Sequence, residues 1–93
     1  MQTRESVLNT VIQSVAQSFN CAESEVKEES NISNDFGADS LDMVALVMDL
    51  EKEFNIAIPD AEAEIHFTYN KTVKDIVDYL MTKINQDARI KRK

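Results

Sequence analysis

Apolar side chains recur every three to four residues at both ends of this chain, and that spacing constrains the fold more than any other feature. Val7, Val11, Val15 and Phe19 follow one another at intervals of four, with Leu8, Ile12 and Ala16 alongside. The pattern lays one apolar stripe along a helix and predicts an amphipathic helix over 3–19, started by Thr3. Val73, Ile76, Val77, Leu80 and Ile84 repeat it near the other end. There Thr72, with Asp75 three positions on, offers an N-cap and an N3 carboxylate, so a second helix is expected over 72–85. Each stripe needs a partner to bury it, and no segment alternates apolar and polar residues as a strand would. The chain reads as all-α.

Asp39 is placed to accept from the first free amides of a third helix over 40–54. Pro59 and Asp60 open a short helical segment, Ala61 to Ile65. Between Asn20 and Ala38 the chain is rich in Ser, Asn, Asp and Glu, which reads as a long loop with a helical turn near Glu23 to Lys27. Long loops in compact domains dock by their own side chains, and Ile32 and Phe36 are the residues available to pin this one to the core. The expected architecture is a small four-helix bundle: three main helices, one short helix and a long first loop. One domain is expected over 1–87, followed by a basic, disordered tail over 88–93.

Several function classes are excluded by what the 93 residues lack. The single glycine, Gly37, cannot build a glycine-rich phosphate loop or a G-x-S-x-G nucleophile elbow. One histidine, His66, and one cysteine, Cys21, provide neither a zinc ligand set nor a nucleophile and base pair, so no metal and no catalytic residue are expected. Cys21 reads as a buried free thiol. The longest apolar run, Met43 to Met48, is far shorter than the roughly 20 residues of a membrane span, and Met1 to Ser18 lacks the apolar core of a signal peptide. A cytoplasmic protein without membrane insertion is expected.

Charge is concentrated in one region. Asp35 to Glu64 holds nine acids and one base, a net of −8, while the other 63 residues sum to +1. Such a surface repels phosphate backbones, so no nucleic acid is expected, and it either keeps the chain soluble or attracts basic protein patches. The helix at 40–54 lies inside this region and carries two apolar stripes. Met43, Leu46, Val47, Leu50 and Phe54 form one; Leu41, Val44 and Met48 form another about 120° away. The second stripe either packs on the segment after Pro59 or stays exposed among Asp42, Asp49, Glu51 and Glu53, where it would serve as a docking strip. Ser40 falls near the gap between the stripes, at the helix start, where it is either a plain capping-region serine or a residue whose phosphate ester the free amides would stabilise.

The stretch DFGADSLDMVALVMDLEKEF (35–54), followed by NIAIPDAEAE (55–64), closely resembles the phosphopantetheine attachment region of acyl carrier proteins. Asp39, Ser40 and Leu41, with Gly37 just before them, match the family's Asp-Ser-Leu signature. The likeness in helix spacing extends from the first helix to about Ile84.

This resemblance implies an acyl-carrier-protein-like bundle in which Ser40 receives 4′-phosphopantetheine from coenzyme A, transferred by a separate holo-carrier synthase. Acyl chains would ride as thioesters on its thiol in dissociated (type II) fatty acid synthesis. It assigns partner docking to Asp39, Leu41, Asp42, Val44, Met48 and Glu51. The partners it implies are fatty acid synthesis enzymes and acyltransferases with basic patches, met by a monomer. Leu46, Val47, Leu50, Phe54, Ile58, Ile65 and Tyr79 would face the core and line a cleft for the acyl chain.

The chain departs from the family at Ala45 and Lys52, where acids are common, at Phe36, where Leu is usual, and in its basic tail. The first two departures motivate an alternative, a specialised carrier for a polyketide, a lipid precursor or an aminoacyl group. The clustered acids motivate a more remote one, an unmodified acidic helical adaptor or calcium sensor, although no D-x-[DN]-x-[DN]-G-x₅-E loop is present.

Overall fold

The computed structural model of the protein describes residues 3–68 and 71–91, with side chains as far as residue 85. Its order is α1 (Arg4–Phe19), a 3₁₀ turn (Glu23–Glu25), α2 (Ile32–Phe36), α3 (Ser40–Phe54), α4 (Asp60–His66) and α5 (Val73–Lys91). Among the described residues the only β-pairing is an isolated antiparallel bridge between Asn31 and Thr72.

Local chemistry explains where the helices start and stop. Thr3 Oγ1 accepts from the Ser6 amide at 3.1 Å and starts α1. Thr72 Oγ1 accepts from the Asp75 amide at 3.3 Å while the Thr72 amide donates back to Asp75 Oδ2 at 3.1 Å, the reciprocal arrangement expected at the head of α5. Asn20 and Asn55 end α1 and α3 in the left-handed region, φ 55° at both, a conformation asparagine tolerates better than most residues.

The segment 20–38 holds more structure than a loop. The Asn31 side chain accepts from the Asn34 amide at 3.0 Å, and the Asn31 amide donates to Asp35 Oδ2 at 2.8 Å, so α2 is capped from both directions. Periodicity cannot detect a helix of five residues, because one and a half turns present a single apolar pair. That pair is Ile32, which is fully buried, and Phe36, which stacks on Phe19 at 5.8 Å. Phe36 thus packs against the core, and the two residues expected to pin this segment do so. Backbone bonds add a second anchor, with the amides of Val73 and Lys74 donating to the carbonyls of Ser30 and Glu28 at 3.0 and 2.9 Å.

Gly37 ends α2 with φ 69°. No atom lies within 4 Å of where a Cβ would sit, so the position demands glycine for its backbone angle and not for space. Gly37→Ala is expected to lower stability by about 1–2 kcal/mol, the cost of a side chain in the left-handed region, as measured by urea unfolding.

Two boundaries differ from expectation. Helix α4 gains one residue at each end relative to 61–65. Helix α5 continues past 85 to Lys91, because no glycine or proline follows Ile84 and Ala88, Arg89 and Lys91 favour helix. The tail expected to be disordered over 88–93 therefore has helical backbone as far as Lys91, and 92–93 lie outside the described residues.

The core is assembled around α1, which packs on both α5 and α3. Val7, Val11 and Val15 meet Leu46 and Leu50 of α3 and Val73, Ile76, Val77 and Leu80 of α5 in one cluster, all without exposed area. Val26, Ile58 and Phe67, from the connecting segments, are also buried in it. Cys21 is a free thiol, half-buried and not fully enclosed as expected. Among the described residues no helix is long and apolar enough to cross a membrane.

Candidate functional site

The start of α3 is held by two carboxylates that bind each other's backbone. Asp39 Oδ1 accepts from the Asp42 amide at 2.9 Å, and Asp42 Oδ2 accepts from the Asp39 amide at 3.1 Å. This reciprocal cap fixes the first helical turn and with it Ser40, the first residue of α3, whose side chain is exposed. Two acids expected to face partners thus also secure the residue between them.

Beyond Ser40, α3 presents its two stripes as the sequence arranged them. Met43, Leu46, Val47 and Leu50 are buried, whereas Leu41 is 78% exposed, Val44 56% and Met48 59%. The seam between the stripes is the floor of a cleft of about 940 Å³. Met43 and Val47 contribute from the buried stripe, Val44 and Met48 from the exposed one, and Ala63 and Phe67 from the α4 side. Ser40 and Asp39 stand at this cleft, as do Ser33 and Ala38 on the α2 side. Glu51 is there too, half-buried, its Oε2 accepting from the Ile58 amide at 2.7 Å and so tying the α3–α4 connection to α3.

Of the seven residues expected to line an acyl cleft, Val47 and Ile58 do so. Leu46 and Leu50 are wholly enclosed in the core, and Phe54 packs against that core half-buried. Tyr79 is buried, but it lies between the ring of His66, stacked at 4.4 Å, and that of Phe67, edge-on at 5.8 Å, with its hydroxyl on Glu62. Ile65 contradicts its expected inward placement, being 61% exposed. On a helix of seven residues Ala63 and His66 take the inner side, and Ile65 falls about 100° from His66 and 200° from Ala63, facing out. Ala63 and Phe67, four apart, were the pair whose spacing marked the true inner face.

Polar groups tie α4 to α5 beside the His66–Tyr79 ring stack. Glu62 accepts from the Tyr79 hydroxyl and pairs with Lys83 Nζ at 3.2 Å. The Tyr79 hydrogen bond, and after it the Lys83 ammonium, hold the Glu62 carboxyl below the ordinary glutamate range. Because the folded carboxylate resists protonation more than the unfolded one, this tie is complete above the unfolded value and is lost as pH falls through the lower, folded one. Wild type and Glu62→Gln should therefore differ in urea stability at neutral pH and converge below about pH 4.3. The gap should be small, since the Glu62 side chain is 38% exposed. Asp75 is lowered as well, chiefly by the Thr72 amide. Among the described residues no group of three or more His, Cys, Asp or Glu is placed to hold a metal ion.

Comparison with known proteins points to one family. A family model described as a phosphopantetheine attachment site matches residues 9–80. The acyl carrier protein of Porphyromonas gingivalis is 50% identical over 70 residues, covering 75% of this chain and 85% of that protein. That of Thermotoga maritima is 40% identical over 84 residues, 90% of this chain and 99% of its own length. Among solved structures, the acyl carrier protein of Enterococcus faecalis superposes with a TM-score of 0.68 at 34% identity, covering 88% of this chain and 99% of that one.

A helical bundle with an exposed serine at a capped helix start, matched over most of its length by that model, is a phosphopantetheine-dependent carrier domain, and the chain belongs to the acyl carrier proteins. The cofactor of that family is 4′-phosphopantetheine, held covalently. The residues present fit it, for Ser40 is exposed at a cleft where Met43, Val47, Ala63 and Phe67 are apolar, with Asp60 and Glu64 of α4 beside them.

Proposed function

We propose that Ser40 Oγ is the attachment point and that the protein carries growing acyl chains between the separate enzymes of type II fatty acid synthesis. The observation that carries this reading is the exposed Ser40 hydroxyl at the mouth of the cleft, held there by the Asp39–Asp42 cap. In the transfer, performed by a separate holo-carrier synthase, the serine oxygen bonds to the phosphorus that bears the pantetheine of coenzyme A. The phosphoanhydride breaks, 3′,5′-ADP departs and the hydroxyl proton leaves with a base of the synthase. When bound, the group supplies a thiol on a long arm that holds acyl groups as thioesters.

Every other contribution comes from this chain's own side chains. Met43, Val47, Ile58, Ala63 and Phe67 offer apolar shelter, worth about 0.8 kcal/mol per methylene drawn in, enough to hold a medium chain yet open to competition from an enzyme's pocket. Leu41, Val44 and Met48 offer apolar anchors, and Asp39, Asp42 and Glu51 attract basic patches on the synthase, the fatty acid synthesis enzymes and acyltransferases. Ala45 and Lys52 are exposed on the same helix, so this face is less acidic than is common in the family and favours partners that lean on the apolar strip.

The test is incubation of the apo protein with coenzyme A, Mg²⁺ and a phosphopantetheinyl transferase, followed by intact mass measurement and peptide mapping. A gain of one arm on the Ser40 peptide is expected. Protein that stays unmodified under conditions that load another carrier would overturn the proposal.

A further inference from the structure

One polar atom at the cleft takes no part in the attachment, the helix cap or the ties between helices. Ser33 Oγ, on α2, is buried and has no hydrogen-bond partner among the described residues. A buried hydroxyl left unpaired costs stability, and native structures keep few such groups. Ser33 lines the cleft that begins at Ser40, and most of its neighbours there are apolar, among them Ala38, Met43 and Val47. None of those three side chains offers a carbonyl or carboxylate to pair with it, and although the Ser40 and Thr68 hydroxyls line the same cleft, neither bonds to it. The carboxylates around the cleft, Asp39, Glu51, Asp60 and Glu64, disfavour an anion as its partner. A cation would have to leave water for a largely apolar floor. The remaining partner is a neutral group, and every occupant attached at Ser40 brings such groups in the form of carbonyls, as arm amides, as the thioester or as an oxygen on the chain.

We infer that Ser33 is a positioning residue whose hydroxyl donates to a carbonyl oxygen of the arm or its cargo when that occupant enters the cleft. This rests on the assignment of Ser40 as attachment point. The hydroxyl turns on a single dihedral, χ1, with three staggered positions, so meeting an occupant needs no movement of α2. Pairing with the occupant's carbonyl removes the cost that the unpaired hydroxyl otherwise carries. An apolar residue at 33 would make the empty protein more stable and the loaded one less discriminating.

The experiment compares wild type, Ser33→Ala and Ser33→Thr in four states: apo, holo, loaded with a saturated medium-chain acyl group, and loaded with the 3-oxoacyl group of the same length. Intact mass first confirms each state, and melting temperature is then read. Apo Ser33→Ala should melt at or above wild type. The rise in melting temperature on loading should be smaller in Ser33→Ala than in wild type by about 4–8 °C, the shift that one hydrogen bond makes in a domain of this size, and Ser33→Thr should restore it.

The state at which the difference first emerges identifies the acceptor. Holo points to an arm amide, saturated acyl to the thioester and 3-oxoacyl to the chain. Equal rises in wild type and Ser33→Ala in all loaded states, with mass showing full loading, overturn the role of Ser33 and leave Ser40 standing. Absence of any mass gain on the Ser40 peptide overturns both.

Discussion

Ser40→Ala is expected to take up no phosphopantetheine from coenzyme A, while its circular dichroism and melting curve match those of wild type. The loss is complete because a methyl group has no oxygen to bond to phosphorus, and the neighbouring carboxylates of Asp39 and Asp42 cannot substitute in a stable phosphodiester. Stability is untouched because Ser40 is exposed and the cap that starts α3 runs between Asp39 and Asp42, past Ser40 and not through it. Intact mass after incubation with transferase and Mg²⁺ reads the first outcome, and a thermal scan reads the second. A variant that still gains the arm would move the attachment elsewhere in the chain.

Leu46→Ala and Leu41→Ala make the same chemical change five residues apart on one helix, and their effects should be opposite in kind. Leu46 has no exposed area and belongs to the central cluster. Truncating it should cost about 2–5 kcal/mol through lost burial and the cavity left behind. Against a total of roughly 5–15 kcal/mol for a domain, that removes a large share and lowers the melting temperature by about 10–30 °C. Leu41 is 78% exposed, so its removal should leave the melt unchanged and slow modification by the transferase. Melting scans of both variants beside initial loading rates separate the two. A melt of Leu41→Ala that falls as far as that of Leu46→Ala would show the strip to be structural, with no docking role.

The long helices were legible because their signals are redundant. Thr3, Thr72 with Asp75, and Asp39 mark starts, and stripes of four or more apolar residues follow each. The exposed stripe on α3 was legible for a related reason, since a helix can turn only one face to the core. What could not be read is the geometry set between elements. Helix α2 depends on Asn31 and Asp35 bonding each other's surroundings, and the bridge from Asn31 to Thr72 joins residues with no shared pattern.

The cleft eluded the sequence in the same way. Its lining combines Met43 and Val47 with Val44 and Met48, members of two stripes that look separate in the sequence, and adds Ala63 and Phe67 from the α4 side. Ile65 was misplaced because its inward position was carried over from the family resemblance, whereas on this seven-residue helix Ala63 and His66 take the inner side. Ser33 carried no signal at all, as a serine in a polar stretch gives no hint that its oxygen is enclosed.

None of the residues of α4 is buried, although this helix borders the cleft and is fastened to α5 through Glu62, Tyr79 and Lys83. A bank held by one ring stack, one small apolar contact and a few hydrogen bonds is fastened far less deeply than the valines and leucines beneath it. Surrendering a passenger to an enzyme and remaining folded are thereby assigned to different parts of the molecule, and mutations that harden the interior need not make the cargo harder to hand over.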